Sequence, residues 1–392
     1  MLGEPLAGVR VLACEQAVAA PFCSFLMAEL GAEVIKVERP DTGDVIRSWD
    51  DVVLGLSSGY VWLSGGKRDI AVDIRTPVGR DIVRSLAATA DVFLENFAPG
   101  VMSRAGLGYE DLSVDNPRLV YCSLSGYGAD GPYRDVKAFD LLIQGESGVL
   151  LMNGSPAEPA KVALPMVDLV AGSTALTGIL SALRSRDATG RGMFLDVSML
   201  DSIALWLGYF PHYSWNGREQ PERSGMRHHR IVPYGPYRAG DGRYVTLVAG
   251  NDEHWRILCR EVLDRPEWVD DAAYATVASR AANSVALNRA LDALFGDHDA
   301  DYWLARLGRT ELPYGEVRTV ESAARHPQLL ARNMIVTAET PVGKVPTFRF
   351  ALAEPDRVRH VPDLGEDTDA VLAEAGYDTE YISEMRATGI IR

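Results

Sequence analysis

A chain of 392 residues, 47% apolar and 24% charged, is too long for a single growing core and too apolar for disorder, which predicts two globular domains. Its formal charge of −15 disfavours nucleic acid and anionic membrane as partners, so an anionic ligand must meet a local cationic pocket. Four cysteines without a CxxC pair exclude a disulfide framework and a cysteine-based zinc site. The opening MLGEPLAGVR lacks the basic and then apolar pattern of an export signal. No run of eighteen apolar residues occurs, so a cytoplasmic chain without a membrane span is expected.

Residues 9–14 form a short apolar run, Pro21 opens a helical stretch to Leu30 that Gly31 closes, and residues 33–37 read as a second strand. A second βαβ unit follows, with strand 70–74, helix 76–88 and strand 91–94, and residues 119–124 continue the series. Alternation of this kind predicts a parallel sheet covered by helices on both faces. The turn at 15–21 is rich in small residues but has no GxGxxG spacing. No GxxxxGK[ST] loop, GxSxG elbow or HExxH pair occurs anywhere, and no metal site is expected.

Residues 168–187 are apolar on nearly every helical face, which predicts a helix buried between other elements, with Asp168 at its N-terminal boundary. Arg184 and Arg186 suit the negative end of its dipole, and Gly190 and Gly192 stop it. A strand at 193–197 and a helix from Met199 complete a large domain over residues 1–205. Polar, aromatic and proline-containing sequence then marks a linker at 206–230. A hairpin, 234–237 and 244–249 around Asp241-Gly242, opens a small domain over 231–325, and residues 326–392 return to the large domain.

A carboxylate at a helix N-terminus, where free N–H groups and the positive dipole end converge, is held ionised and can serve as a nucleophile. The competing reading of Asp168 is a plain N-cap.

Several phrases resemble the class III CoA-transferase family, which includes formyl-CoA and carnitine CoA-transferases and the α-methylacyl-CoA racemases. They are LAGVRVL at 6–12, GAEVIKVERPDTGD at 31–44, GKRDIAVDI at 66–74, ENFAPGVMSRAGLGYEDL at 95–112, NPRLVYCSLSGYGADGPY at 116–133, TGRGMFLDVSMLDS at 189–202 and LGEDTDAVL at 364–372. The resemblance implies a Rossmann-like α/β large domain with a parallel sheet, built from both chain ends, and a smaller α+β domain between them. It also implies an interlocked, ring-shaped homodimer, a coenzyme A thioester as substrate, an organic acid as second substrate, and no tightly bound cofactor.

Asp168 matches the family's catalytic aspartate, and Gln16 is the candidate donor to an oxyanion. The family's transferases place their glutamine two positions on, where this chain has Val18, so Val18 is assigned to the substrate pocket. By the same resemblance Arg39, Lys67, Arg68, Arg75, Arg104 and Lys137 are candidates for the phosphates of CoA, with Asn96 and Gly126 lining the groove. The racemases carry a histidine where this chain has Phe139, and phenylalanine moves no proton, which favours transfer over racemisation. The family's glycine-rich closing loop has no counterpart beyond Ser224-Gly225-Met226. His228 and His229, flanked by Arg227 and Arg230, either bind a substrate carboxylate or form a solvated linker face. The leading expectation is a CoA-transferase working through a covalent aspartyl intermediate, on small dicarboxylic acids. A 2-methylacyl-CoA epimerase and a non-catalytic acyl-CoA-binding relative are the alternatives.

Overall fold

The computed structural model describes residues 3–392, which divide into two compact units. The first holds the described residues up to Ser147 together with Val162–Tyr209 and Pro327–Arg392, and the second holds Gly148–Lys161 and Phe210–His326.

In the first unit, strands β1 (Arg10–Cys14), β2 (Glu33–Glu38), β3 (Arg68–Ala71), β4 (Val92–Glu95), β5 (Val120–Ser125) and β6 (Met193–Ser198) form one sheet in the order β3-β2-β1-β4-β5-β6. Every pairing is parallel, with Val11 opposite both Val34 and Val92 and Val120 opposite Met193. Central strands of such a sheet are covered on both faces, so β1, β4 and β5 are largely apolar and buried almost throughout.

Strand β3 begins at Arg68 rather than at residue 70 and ends at Ala71. Its first two residues are charged, a composition that argues against a strand, yet Asp69 is fully buried. Tertiary partners make this possible. The side chains of Asp367 and Thr368 accept the Asp69 and Ala71 N–H groups on the open edge of the sheet, at 2.9 and 3.1 Å. The end of the chain thus closes the first unit with helices Thr368–Glu374 and Thr379–Ala387, whose Val371, Leu372, Ile382 and Met385 join the core around Ile35, Ile70 and Phe93. All six strands of the sheet precede residue 199.

Helices α1 (Ala19–Glu29), α2 (Ser58–Ser64), α3 (Pro77–Ala87), α4 (Val101–Arg104), α5 (Tyr109–Asp115) and α6 (Asp140–Glu146) follow along the chain. In the second unit α7 (Val149–Met152) intervenes, and the first resumes with α8 (Met166–Thr189) and α9 (Met199–Trp206). Helix α1 starts two residues before Pro21, which occupies its first turn where a missing N–H costs nothing. Helix α8 is long and apolar enough to cross a bilayer by composition. Here its Val167, Val170, Ala171, Ala175, Ile179 and Ala182 are buried within the first unit, where it packs against α1.

The second unit is built on a three-stranded antiparallel sheet, β7 (Tyr234–Arg238), β8 (Tyr244–Val248) and β9 (Tyr314–Glu316), in the order β7-β8-β9. Trp255, Leu287, Leu291, Phe295 and Trp303 fill its core. The third strand has no alternating signature in the sequence.

Candidate active site

The strand order reverses between β1 and β4, so the loops leaving the carboxyl ends of these two strands diverge and open a crevice, the usual ligand position of a doubly wound sheet. Glu15-Gln16-Ala17 leaves β1 and Asn96-Phe97 leaves β4. The Asn96 side chain ties the two together, accepting the Gln16 N–H at 2.8 Å and donating to the Gln16 carbonyl at 2.9 Å.

Helix α8 descends from this edge of the sheet. Near its far end Arg186 Nη1 meets Asp91 Oδ1 at 2.8 Å, just ahead of β4, while Gly172 near its start lies against α1. A Cβ on Gly172 would stand 2.6 Å from the Ala19 carbonyl, so only glycine allows this approach. Asp168 is one helical turn before Gly172 on the same face.

Asp168 is half-buried, and none of the described residues hydrogen-bonds to its carboxylate. Burial, and then the neighbouring Asp140 charge, push it up to about 7. This corrects the expectation that the helix terminus holds Asp168 ionised and disposes of the N-cap reading. The capping acceptor comes from another helix: Asp140 Oδ1 takes the Val167 N–H at 2.7 Å, and Gln144 Nε2 donates to Asp140 Oδ2 at 2.7 Å. Asp168 is left as a half-buried carboxyl without a hydrogen-bond partner among the described residues.

A cavity of about 440 Å³ is lined by Gln16, Arg39, Arg75, Arg80, Phe97 and Arg104, among others. Arg39 pairs with Asp41 at 2.7 Å and Arg75 with Asp73 at 2.8 Å, whereas no acidic partner is described for Arg80 or Arg104. With Arg39 and Arg75 paired to Asp41 and Asp73, Arg80 and Arg104 leave the recess net cationic in an acidic protein. Arg80 escaped the sequence reading because it falls in the first turns of α3, where it resembles a solvated face. It lies five residues beyond Arg75, and its Nη1 donates to the Arg75 carbonyl at 2.9 Å.

The remaining candidates fall elsewhere. Lys67 is fully buried, with Nζ 2.7 Å from Glu15 Oε1 and 2.6 Å from Ser24 Oγ, so its ammonium is already satisfied and out of reach of a phosphate. Arg68 heads β3 at the opposite edge of the sheet, bound to Glu33 and Glu374 at 2.8 Å each. Lys137 is exposed on the loop before α6 and does not line the cavity. Gly126 is needed because a Cβ there would lie 2.1 Å from that of Ala138, so its approach is to the chain itself. Val18 is 3% exposed, inside the core rather than on a pocket wall, and Phe139 is 71% exposed at the start of α6.

His228 and His229 belong to the second unit. They stack on each other at 4.6 Å and line a cavity of about 950 Å³ with Arg218, Arg223, Arg227 and Arg230. His228 Nδ1 accepts the Arg230 and Ile231 N–H groups at 3.0 Å, and burial together with the Arg230 charge holds its pKa below the usual histidine value. No group of three or more potential metal ligands occurs among the described residues.

Residues 6–368 match the description of CoA-transferase family III. The chain belongs to that family. It is 34% identical over 396 residues to a human succinyl-CoA:glutarate CoA-transferase, covering 99% of this chain and 90% of the relative. It is 35% identical over 335 residues to an acetyl-CoA:oxalate CoA-transferase of Acetobacter aceti, covering 85% of each. A crystal structure of a CAIB/BAIF family protein from Brucella suis, 34% identical, superposes with a TM-score of 0.84 over 95% of this chain and 99% of that one. As a class III CoA-transferase the protein acts on CoA thioesters and organic acids.

Proposed function

We propose that this transferase moves CoA between an acyl-CoA and a small dicarboxylic acid, with Asp168 as the covalent carrier. The observation that carries the reading is the half-buried Asp168 carboxyl in the first turn of α8, which no described residue hydrogen-bonds. When ionised, Asp168 attacks the thioester carbonyl, the C–S bond breaks, and the CoA thiolate leaves a mixed anhydride. The thiolate then attacks the aspartyl carbonyl, which releases the donor acid and leaves CoA as a thioester on Asp168. The acceptor carboxylate runs the same steps in reverse and departs as the new acyl-CoA.

Gln16, tied at its backbone by Asn96, is the proposed donor to the developing oxyanion. Arg39, Arg75, Arg80 and Arg104 are the proposed seat of the CoA phosphates. The dicarboxylic class is supported by relatives named for glutarate and oxalate. Phe139, without an ionisable group, supports transfer over proton exchange at an α-carbon. The homodimer inherited from family resemblance is part of the proposal. The test is to incubate the protein with succinyl-CoA and then add hydroxylamine or borohydride. A modified Asp168, with Asp168→Ala inactive, is expected; an unmodified residue and intact transfer in Asp168→Ala would overturn the mechanism.

A further inference from the structure

The turn that presents Gln16 contains no glycine, yet Ala17 sits at φ +61°, in the left-handed region that L side chains avoid. Something must hold it there. Asp44 Oδ1 accepts the Ala17 N–H at 2.9 Å and the Ile46 N–H at 3.1 Å, and Lys36 Nζ lies 2.6 Å from Asp44 Oδ2. The side chains of Lys36 and Asp44 are 1% and 0% exposed. The approach to Asp44 is equally constrained: Gly43 has φ +66°, and a Cβ there would stand 2.5 Å from Glu38 Oε2, the atom that accepts the Asp44 N–H at 2.6 Å. On the other side, Lys67 anchors Glu15, the residue before Gln16. A buried ion pair contributes little net stability, because desolvation offsets its attraction, so its effect here falls on the shape of the turn.

We propose that Asp44 is a positioning residue of the transfer reaction: through the Ala17 N–H it fixes the Gln16–Val18 turn in the conformation from which Gln16 serves as the oxyanion donor proposed above. The inference rests on the Asp168 reading above. Two full-length double variants separate positioning from stability. Lys36→Met/Asp44→Asn removes both buried charges and keeps an acceptor for the Ala17 N–H. Lys36→Met/Asp44→Ser removes the same charges but leaves a hydroxyl that caps Ile46 and is too short for Ala17.

The kcat of the serine variant is expected to fall at least about tenfold below that of the asparagine variant, with KM for the CoA thioester within about twofold. Adding Ala17→Gly, which holds a positive φ unaided, should restore most of that loss. Equal kcat values per folded site, or a loss that Ala17→Gly does not recover, overturn the proposal. Should neither variant fold, hydrogen exchange on the unmodified protein decides. An Ala17 amide as protected as the β1 amides supports the clamp, and one exchanging as fast as exposed loop amides refutes it. Failure of the Asp168 reading is separately visible, because the unmodified protein would then yield no trapped Asp168.

Discussion

At Asp168 the structure sets a proton affinity, and the affinity sets a pH dependence. With burial and Asp140 raising its pKa to about 7, the nucleophilic form grows as pH climbs through neutrality, so kcat/KM should rise along an acid limb centred near pH 7. Asp140→Asn removes the neighbouring charge while keeping an acceptor for the Val167 N–H, and should move that limb down by roughly 0.5–1 pH unit. An unmoved limb would show that Asp140 acts only as a cap. Stability runs the other way. A carboxyl whose folded pKa exceeds its unfolded value loses stability as pH rises, from the unfolded carboxylate range near about 4 up to the folded value of about 7. Glu95, buried at the end of β4, is likewise pushed up to about 7, first by burial, so two groups weaken the fold across that window. Asp168→Asn removes one of them, and its melting temperature should exceed that of the unmodified protein by more at about pH 8 than at about pH 5.

At the scale of elements, the approach of α8 to α1 and the cationic recess make separate claims. Gly172→Ala forces a Cβ against the Ala19 carbonyl and should destabilise the chain by about 1–3 kcal/mol in urea unfolding, with a fall in kcat because α1 carries the Gln16 turn. Arg104→Ala should raise KM for the CoA thioester about tenfold with kcat kept, and the rise should shrink for the 3′-dephospho thioester. The parallel strands were legible because apolar runs alternate with amphipathic helices. The start of β3 was not, because Arg68 and Asp69 join a strand only once Glu33, Glu374 and Asp367 receive their charges and N–H groups. Lys67 misled for the same reason, since a lysine beside a loop reads as a free cation until Glu15 is found 2.7 Å away.

For the whole molecule, the first unit leaves Phe139, Leu141, Leu142, Leu164, Leu205 and Trp206 exposed, a set that a lone protomer would present to water. Sizing in solution should give twice 42.7 kDa, and a monomer at micromolar concentration would contradict the proposed dimer.

From its residues alone the chain declared a two-domain α/β protein, the family phrases and the aspartate at the head of the long apolar helix, because periodicity and motif are properties of local order. Three-dimensional packing decided which cations remain free for an anion, which carboxylate caps α8, and how strongly Asp168 holds its proton. Those outcomes depend on charges brought together from positions as distant as Glu15 and Lys67 or Asp69 and Asp367. Burial and pairing at such separations have no signature in the order of the residues.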